Sequence, residues 1–199
     1  AIAALREQDL ISFSTLLGSE ELGKQFLSDL QVKAAETPFQ YEDLTAMSKI
    51  LNTYGFTTES TLSAIDAIGN AGATLGMSAQ DMQTVATALG RMRSSNKVDL
   101  ELMNQMQERG LDVIGYLSEY LNTSKTDVYD MISKGEFTGR GTEIVDMLLQ
   151  SIGTDEIYAG GMEKQAATYS GRQSTLEDLQ NNLDAAKGEG YNAERGKGI

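Results

Sequence analysis

Ser94 and Lys97 stand three residues apart. At that spacing a serine nucleophile and a lysine base share a helical turn in serine acyl-enzymes. Such a site also needs Ser-Asp-Asn and Lys-Thr-Gly elements, and the sequence contains neither. Two carboxylate pairs, Asp127/Asp130 and Glu59/Asp66, have the residue types for glycoside hydrolysis, in which two acids face one cleft and one has a raised pKa. Here they fall at helix starts or on polar faces, where a carboxylate caps or solvates a helix. Gly190, Gly196, Lys197 and Gly198 supply part of a phosphate-binding loop. The spacing is one residue too long, and Gly198 stands where a Ser or Thr hydroxyl would meet magnesium. Asn122-Thr123-Ser124 fits the N-glycosylation pattern, but nothing else in the chain indicates secretion.

The rest of the catalytic repertoire is missing. There is no His and no Cys in 199 residues. That removes Ser–His–Asp and Cys–His catalysis, imidazole ligands, thiolate zinc sites and disulfides together. Asp, Glu, Lys and Tyr remain for proton chemistry, and all four are ordinary surface residues. The reading is therefore of a protein that is not an enzyme, with no catalytic, cofactor-binding or metal-binding residues to assign and no cofactor required.

Charge narrows the partners. A net charge of -13 repels phosphate backbones, so nucleic acid is not expected as a partner. Contact with an anionic membrane is not expected for the same reason, and no run approaches the roughly 18 apolar residues of a membrane span. The chain opens at Ala1 without Met and without a basic-then-apolar leader, which suggests a piece of a longer protein. A single Pro and nine Met favour helices over a turn-rich β fold.

The elements that would position any site read as helices throughout. Leu22, Phe26 and Leu30 follow the acidic pair Glu20-Glu21, which suits a helix N-terminus, and Thr37-Pro38-Phe39 breaks that helix. Leu44, Met47, Leu51 and Tyr54 form a second stripe, stopped at Gly55. A third helix, 58–75, has Leu62, Ile65, Gly69, Gly72 and Gly76 on one face and Ala64, Ile68, Ala71 and Leu75 on another. Glycine inside a helix costs up to about 1 kcal/mol against Ala, so Gly69 and Gly72 imply the close approach of another helix, and Gly76 is the stop. Ser78-Ala79-Gln80-Asp81 is a capping box ahead of Met82, Val85, Leu89 and Met92. Arg91, Arg93 and Lys97 beside the polar loop Ser94-Ser95-Asn96 are cations at a helix end.

Shorter pieces follow. Asp99 caps a helix to Arg109, ended by Gly110; Val113, Leu117 and Tyr120 mark the next. Ser124 to Asp127 caps a helix carrying Val128, Met131 and Ile132 and stopped at Gly135. Gly139-Arg140-Gly141 reads as a loop, and Ile144, Leu148 and Ile152 as an amphipathic helix. Gly160-Gly161 precedes a stretch from Met162 to Tyr169. Ser174 to Glu177 is a capping box ahead of Leu176, Leu179 and Leu183. Met47, Met82, Met92, Met103, Met106 and Met131 take core positions rather than an adaptable binding groove. Only Ile11-Ser12-Phe13-Ser14 alternates in a strand-like way. The expectation is an all-α, compact multi-helix domain of short antiparallel helices over 1–187, with 188–199 a flexible Gly-rich tail or linker.

The order of segments resembles the tape measure domain of tailed-phage and prophage proteins. Phe13-Ser14-Thr15-Leu16-Leu17-Gly18-Ser19 resembles its opening F-x-x-L-L-G-S element. Leu30, Ala34, Ala35 and Thr37-Pro38-Phe39 are similar to the element that follows, and Leu44 to Gly55 to the next helix. Leu62, Ile65, Gly69, Ala71, Ala73, Gly76 and Met77 resemble the glycine-bearing helix. Leu89-Gly90-Arg91-Met92, Lys97-Val98 and Asn104-Gln105-Met106 with Gly110-Leu111 resemble the centre, where Asn96 replaces the usual Gly. Ser124, Val128, Met131 and Gly135, then Gly161-Met162, Thr168, Gly171 and Ser174, resemble the closing elements.

The resemblance covers Ile11 to Leu183. It implies a structural virion component that acts in tail assembly and tail length determination inside the tail tube. The implied location is the virion tail, with the host cytoplasm during assembly. The implied partners are other phage tail proteins (tail tip, tail tube and assembly chaperones), and self-association is left open. It names no catalytic or ligand residues. Two other functions compete: a generic helical adaptor, separable by gene neighbourhood, and a peptidoglycan-degrading tail enzyme, separable by clearing of purified cell walls.

Overall fold

A computed structural model describes residues 2–167 and 177–185, with side chains from Arg6 onward. Ten helices run in chain order: α1 (Ile2–Leu17), α2 (Glu20–Glu36), α3 (Tyr41–Thr53), α4 (Thr58–Leu75), α5 (Ala79–Ser95), α6 (Leu100–Glu108), α7 (Val113–Leu121), α8 (Lys125–Ser133), α9 (Gly141–Thr154) and α10 (Gly161–Ala166). Residues 177–185 form a further helix, α11. The fold is all-α, with no strand among the described residues. The expected tail 188–199, the cap Ser174 to Leu176 and Tyr169 lie outside those residues.

The chain divides into two compact units. One comprises Ala1–Thr45 and Glu163–Ile199, the other Ala46–Met162. In the first, α1 packs along α2. Here the strand-like stretch is corrected, because Ile11 to Ser14 lie in mid-helix. Phe13 is fully buried, with its ring centroid 5.0 Å from that of Phe26, while Ile11 is 68% exposed. Positions i and i+2 lie about 200° apart around a helix, so one Phe inside and one Ile outside imitate strand alternation over a few residues. The α2 stripe is also corrected. Phe26 and Leu30 are buried as expected, but Leu22 faces solvent, and the inner row is Gly23, Phe26, Leu27, Leu30 and Ala34. Gly23 stands where a Cβ would come within 2.9 Å of the Ser14 backbone nitrogen, so only glycine lets α1 and α2 approach this closely.

In the second unit α4 packs against α5 and α9, and α5 also against α6 and α9. The sequence-read bounds of α4 are those observed, 58–75. Ile65, Ile68 and Ala71 are fully buried, Leu62 is half-buried and Leu75 is exposed. A Cβ at Gly69 would lie 2.5 Å from Met162 Sδ, and one at Gly72 would lie 2.7 Å from Met82 Sδ. The neighbours implied by these glycines are thus thioether side chains rather than helix backbone. Gly76 closes α4 with φ +71°, in the left-handed region. The Ser78 box forms both ways: the Asp81 N–H donates to Ser78 Oγ at 3.1 Å and the Ser78 N–H to Asp81 Oδ2 at 3.1 Å. Met82, Val85, Leu89 and Met92 are all fully buried, as are Ile144 and Leu148 on α9. Each such side chain contributes about 1.5–3 kcal/mol on leaving water. Five of the six named methionines are buried, and Met131 is half-buried.

Candidate interaction surfaces

The residues with catalytic types are absorbed by the helix ends. Ser94 and Lys97 are both exposed, and the Lys97 backbone N–H closes α5 on the Met92 carbonyl at 3.3 Å. Asp127 accepts from Thr123 Oγ1 at 2.6 Å, and Asp130 pairs with Lys134 at 2.8 Å. Glu59 is exposed in the first turn of α4. Asn122 takes the left-handed conformation, φ 52°, as the C-cap of α7. Among the described residues no group of three or more acidic side chains is placed to hold a metal ion. No described helix is long and apolar enough to cross a membrane.

A groove of about 410 Å³ lies between α4 and α9. Ser60, Ser63, Asp66 and Asn70 line one wall, and Asp146 and Gln150 the other. Asp146 accepts from Arg93 at 2.7 Å, and the Arg93 guanidinium also lies 4.9 Å from the Phe56 ring centroid. This wall offers hydroxyls, amides and carboxylates.

A second assembly joins the end of α5 to the start of α9, where the sequence reads as a plain loop. Arg140, the residue before α9, makes no side-chain cap. Asn96 does so from a distance: its Oδ1 accepts the Thr142 N–H at 3.0 Å, while its carbonyl accepts the Gly139 N–H at 2.7 Å. Asn96 is itself left-handed, φ 53°, a conformation that Asn tolerates, and it adds a cap. A Cβ on Gly141 would collide with the backbone of Met92 and Lys97, and would lie 2.5 Å from the Asn96 carbonyl carbon. Beside it, Glu143 accepts both Arg140 and the Tyr120 hydroxyl, at 2.8 Å each, and these bonds, Arg140 first, hold its carboxyl down at about 2. Only the 139–141 glycine pattern hinted at this junction.

A third cluster holds Tyr116, whose hydroxyl donates to Asp155 Oδ2 at 2.6 Å; burial, and then this bond, push its pKa upward. In the first unit, Asp178 of α11 caps the start of α3, its Oδ1 accepting the Tyr41 N–H at 3.3 Å. Asp178 is only 2% exposed, while Leu179 and Leu183 are half-exposed. That reverses the expected inner stripe of Leu176, Leu179 and Leu183, of which Leu176 lies outside the described residues. A carboxylate acceptor at an open helix N-terminus and a bond from Arg6 to Asn182 seat the polar side of α11 instead.

The family model for tape measure protein matches residues 11–190. The chain belongs to the tape measure protein family. Its place is therefore structural, in the phage tail, and the tape measure family is structural rather than catalytic. Membership of a phage tail protein family suggests interaction with other tail components. No curated protein and no solved structure matches the chain.

Proposed function

We propose that this tape measure domain is a folded assembly module. It acts in tail assembly and tail length determination inside the tail tube by docking tail-tip, tube and chaperone proteins, and it assembles in the host cytoplasm. The observation that carries this reading is the family match over residues 11–190. Geometry supports assigning assembly to this segment and measuring to the rest of the parent protein. A helix rises about 1.5 Å per residue, so 11–190 drawn out as one helix would span about 270 Å. Folded as here, its longest described helix has 18 residues, or about 27 Å.

In-frame deletion of the segment from its phage, with tails viewed by electron microscopy, tests this. Loss of tails, together with capture of tail-tip proteins by the isolated domain, is the expected result. Tails of normal number and length would overturn the assembly role. Normal numbers of tails shortened by about 270 Å would overturn the division of labour by placing the ruler inside this segment.

A further inference from the structure

The start of α3 is held by a carboxyl group that has one partner too few. Asp178 Oδ1 accepts the Tyr41 N–H, but Asp178 Oδ2 is buried with no hydrogen-bond partner. A buried, unpartnered carboxylate oxygen is costly, and a protonated one much less so. The surrounding charges add to the cost. Glu42 and Asp43 approach from α3, and Glu177 from α11 itself. Around Tyr41 stand Arg6 and Glu7 of α1 and Lys24 of α2; Lys24 is turned to Glu20 at 3.4 Å, and Asp9 also acts on the Tyr41 ring hydroxyl. Arg6 is engaged on the Tyr41 face, 4.4 Å from its centroid, and on Asn182. Another contact across the seat, Gln40 Nε2 to Glu177 Oε2 at 3.0 Å, is exposed.

We propose that α11 is a proton-controlled latch: the buried Asp178 carboxyl fastens it to the N-terminus of α3 when protonated and loosens it when charged. The neutral acid still accepts the Tyr41 N–H through its carbonyl oxygen, so the cap survives protonation while the repulsion from Glu42, Asp43 and Glu177 ends. Burial first, and then these neighbours, raise the Asp178 pKa to about 6 against the Tyr41 bond that lowers it. The latch thus closes in mild acid and slackens towards neutrality.

Amide hydrogen exchange of the 199-residue chain, corrected for intrinsic rates, reads the latch directly. Protection of 179–185 should rise about tenfold from pH 7.5 to pH 5. In Asp178→Asn it should be high at both values, since Asn keeps the acceptor without the charge. Asp43→Asn should keep the pH dependence. Equal protection of the parent at both pH values would overturn the proposal, as would pH dependence persisting in Asp178→Asn. Should Asp178→Asn fail to fold, the carboxyl carbon resonance of Asp178 in the parent decides: a midpoint near 6 supports the latch, and one near 4 overturns it.

Discussion

Two of the described helices receive at their first turn a side-chain acceptor from far along the sequence. Helix α9 takes the Asn96 amide from the end of α5, 46 residues away. Helix α3 takes the Asp178 carboxyl from α11, 137 residues away. The first cap is neutral and sits in a junction closed by backbone: the α5 terminus and the Gly141 Cα are in contact with no room for a Cβ. The second carries an ionisable group, with one oxygen buried and unanswered. Neutral amides hold at any pH and fix geometry. A desolvated carboxylate favours a helix N-terminus by charge yet is penalised by burial, and its balance moves with protons. One junction is a rivet, the other a catch.

The rivet breaks hardest at Gly141. Gly141→Val drives a branched side chain into the Met92–Lys97 backbone, which cannot rotate away as a side chain can. A loss of about 3 kcal/mol or more in denaturant unfolding is expected. Recovery of parental stability would mean that α9 can move off α5. Gly72→Leu is the comparison for a softer wall. An isobutyl group there meets Met82 and Met77 side chains, and a loss of about 1–3 kcal/mol should appear as a clearly lower melting temperature. Gln83→Leu, on a half-buried polar position, should melt close to the parent.

Asn96 separates conformation from capping. Asn96→Ala loses both the left-handed tolerance, about 1 kcal/mol, and the cap to Thr142, about 1 kcal/mol more. Asn96→Gly keeps the conformation but loses the cap, and should cost about 1 kcal/mol. Equal losses in the two variants would show that the backbone angle contributes nothing and the amide everything.

The catch is tested by pH. The folded Asp178 pKa, about 6, lies above its unfolded value, 3.8. The folded state therefore holds more protons between these values, and its stability falls as pH rises through that window and is flat outside it. Asp178→Asn should remove a decline of about 2 kcal/mol between pH 4.5 and 7, measured by urea unfolding. Glu143 works in the opposite sense. Its folded pKa is about 2 against 4.5, so its contribution is present above pH 4.5 and lost as pH falls towards 2. A parent curve that rises from pH 4.5 to 7 would contradict the buried Asp178.

Helix positions and most caps were legible in the sequence because they depend on neighbours three or four residues apart. Thr58 to Leu75, Ser78 with Asp81, and the row Met82, Val85, Leu89, Met92 are of this kind. The borrowed caps were not legible. Asn96 to Thr142 and Asp178 to Tyr41 join residues whose proximity only the tertiary fold creates, and neither residue type is unusual for its local place. The reversed face of α11 failed for a related reason. Leu179 and Leu183 have the spacing of a core stripe, but hydrophobic periodicity cannot register that an open helix N-terminus and Arg6 lie on the other side. The family itself was legible through ordered motifs, and residues 11–190 match it.

The smallest expected effect is the most informative about packing. Gly72→Ala adds one methyl at 2.7 Å from Met82 Sδ and 3.0 Å from Met82 Cγ, too close without movement. Against that crowding stands the helix preference for Ala, up to about 1 kcal/mol. A thioether is flexible, so Met82 can swing a few tenths of an ångström at modest cost. Met82 is also fully buried, which limits how far it can go. The two terms nearly cancel, and a change within about 0.5 kcal/mol of zero is expected in thermal melts. Met82→Ala separates them. With the thioether gone, adding Gly72→Ala in that background should stabilise, because only the helix term remains. If Gly72→Ala costs as much in the Met82→Ala background as in the parent, the wall at Gly72 is backbone after all, and the contrast between soft and hard contacts drawn from Gly72 and Gly141 does not hold.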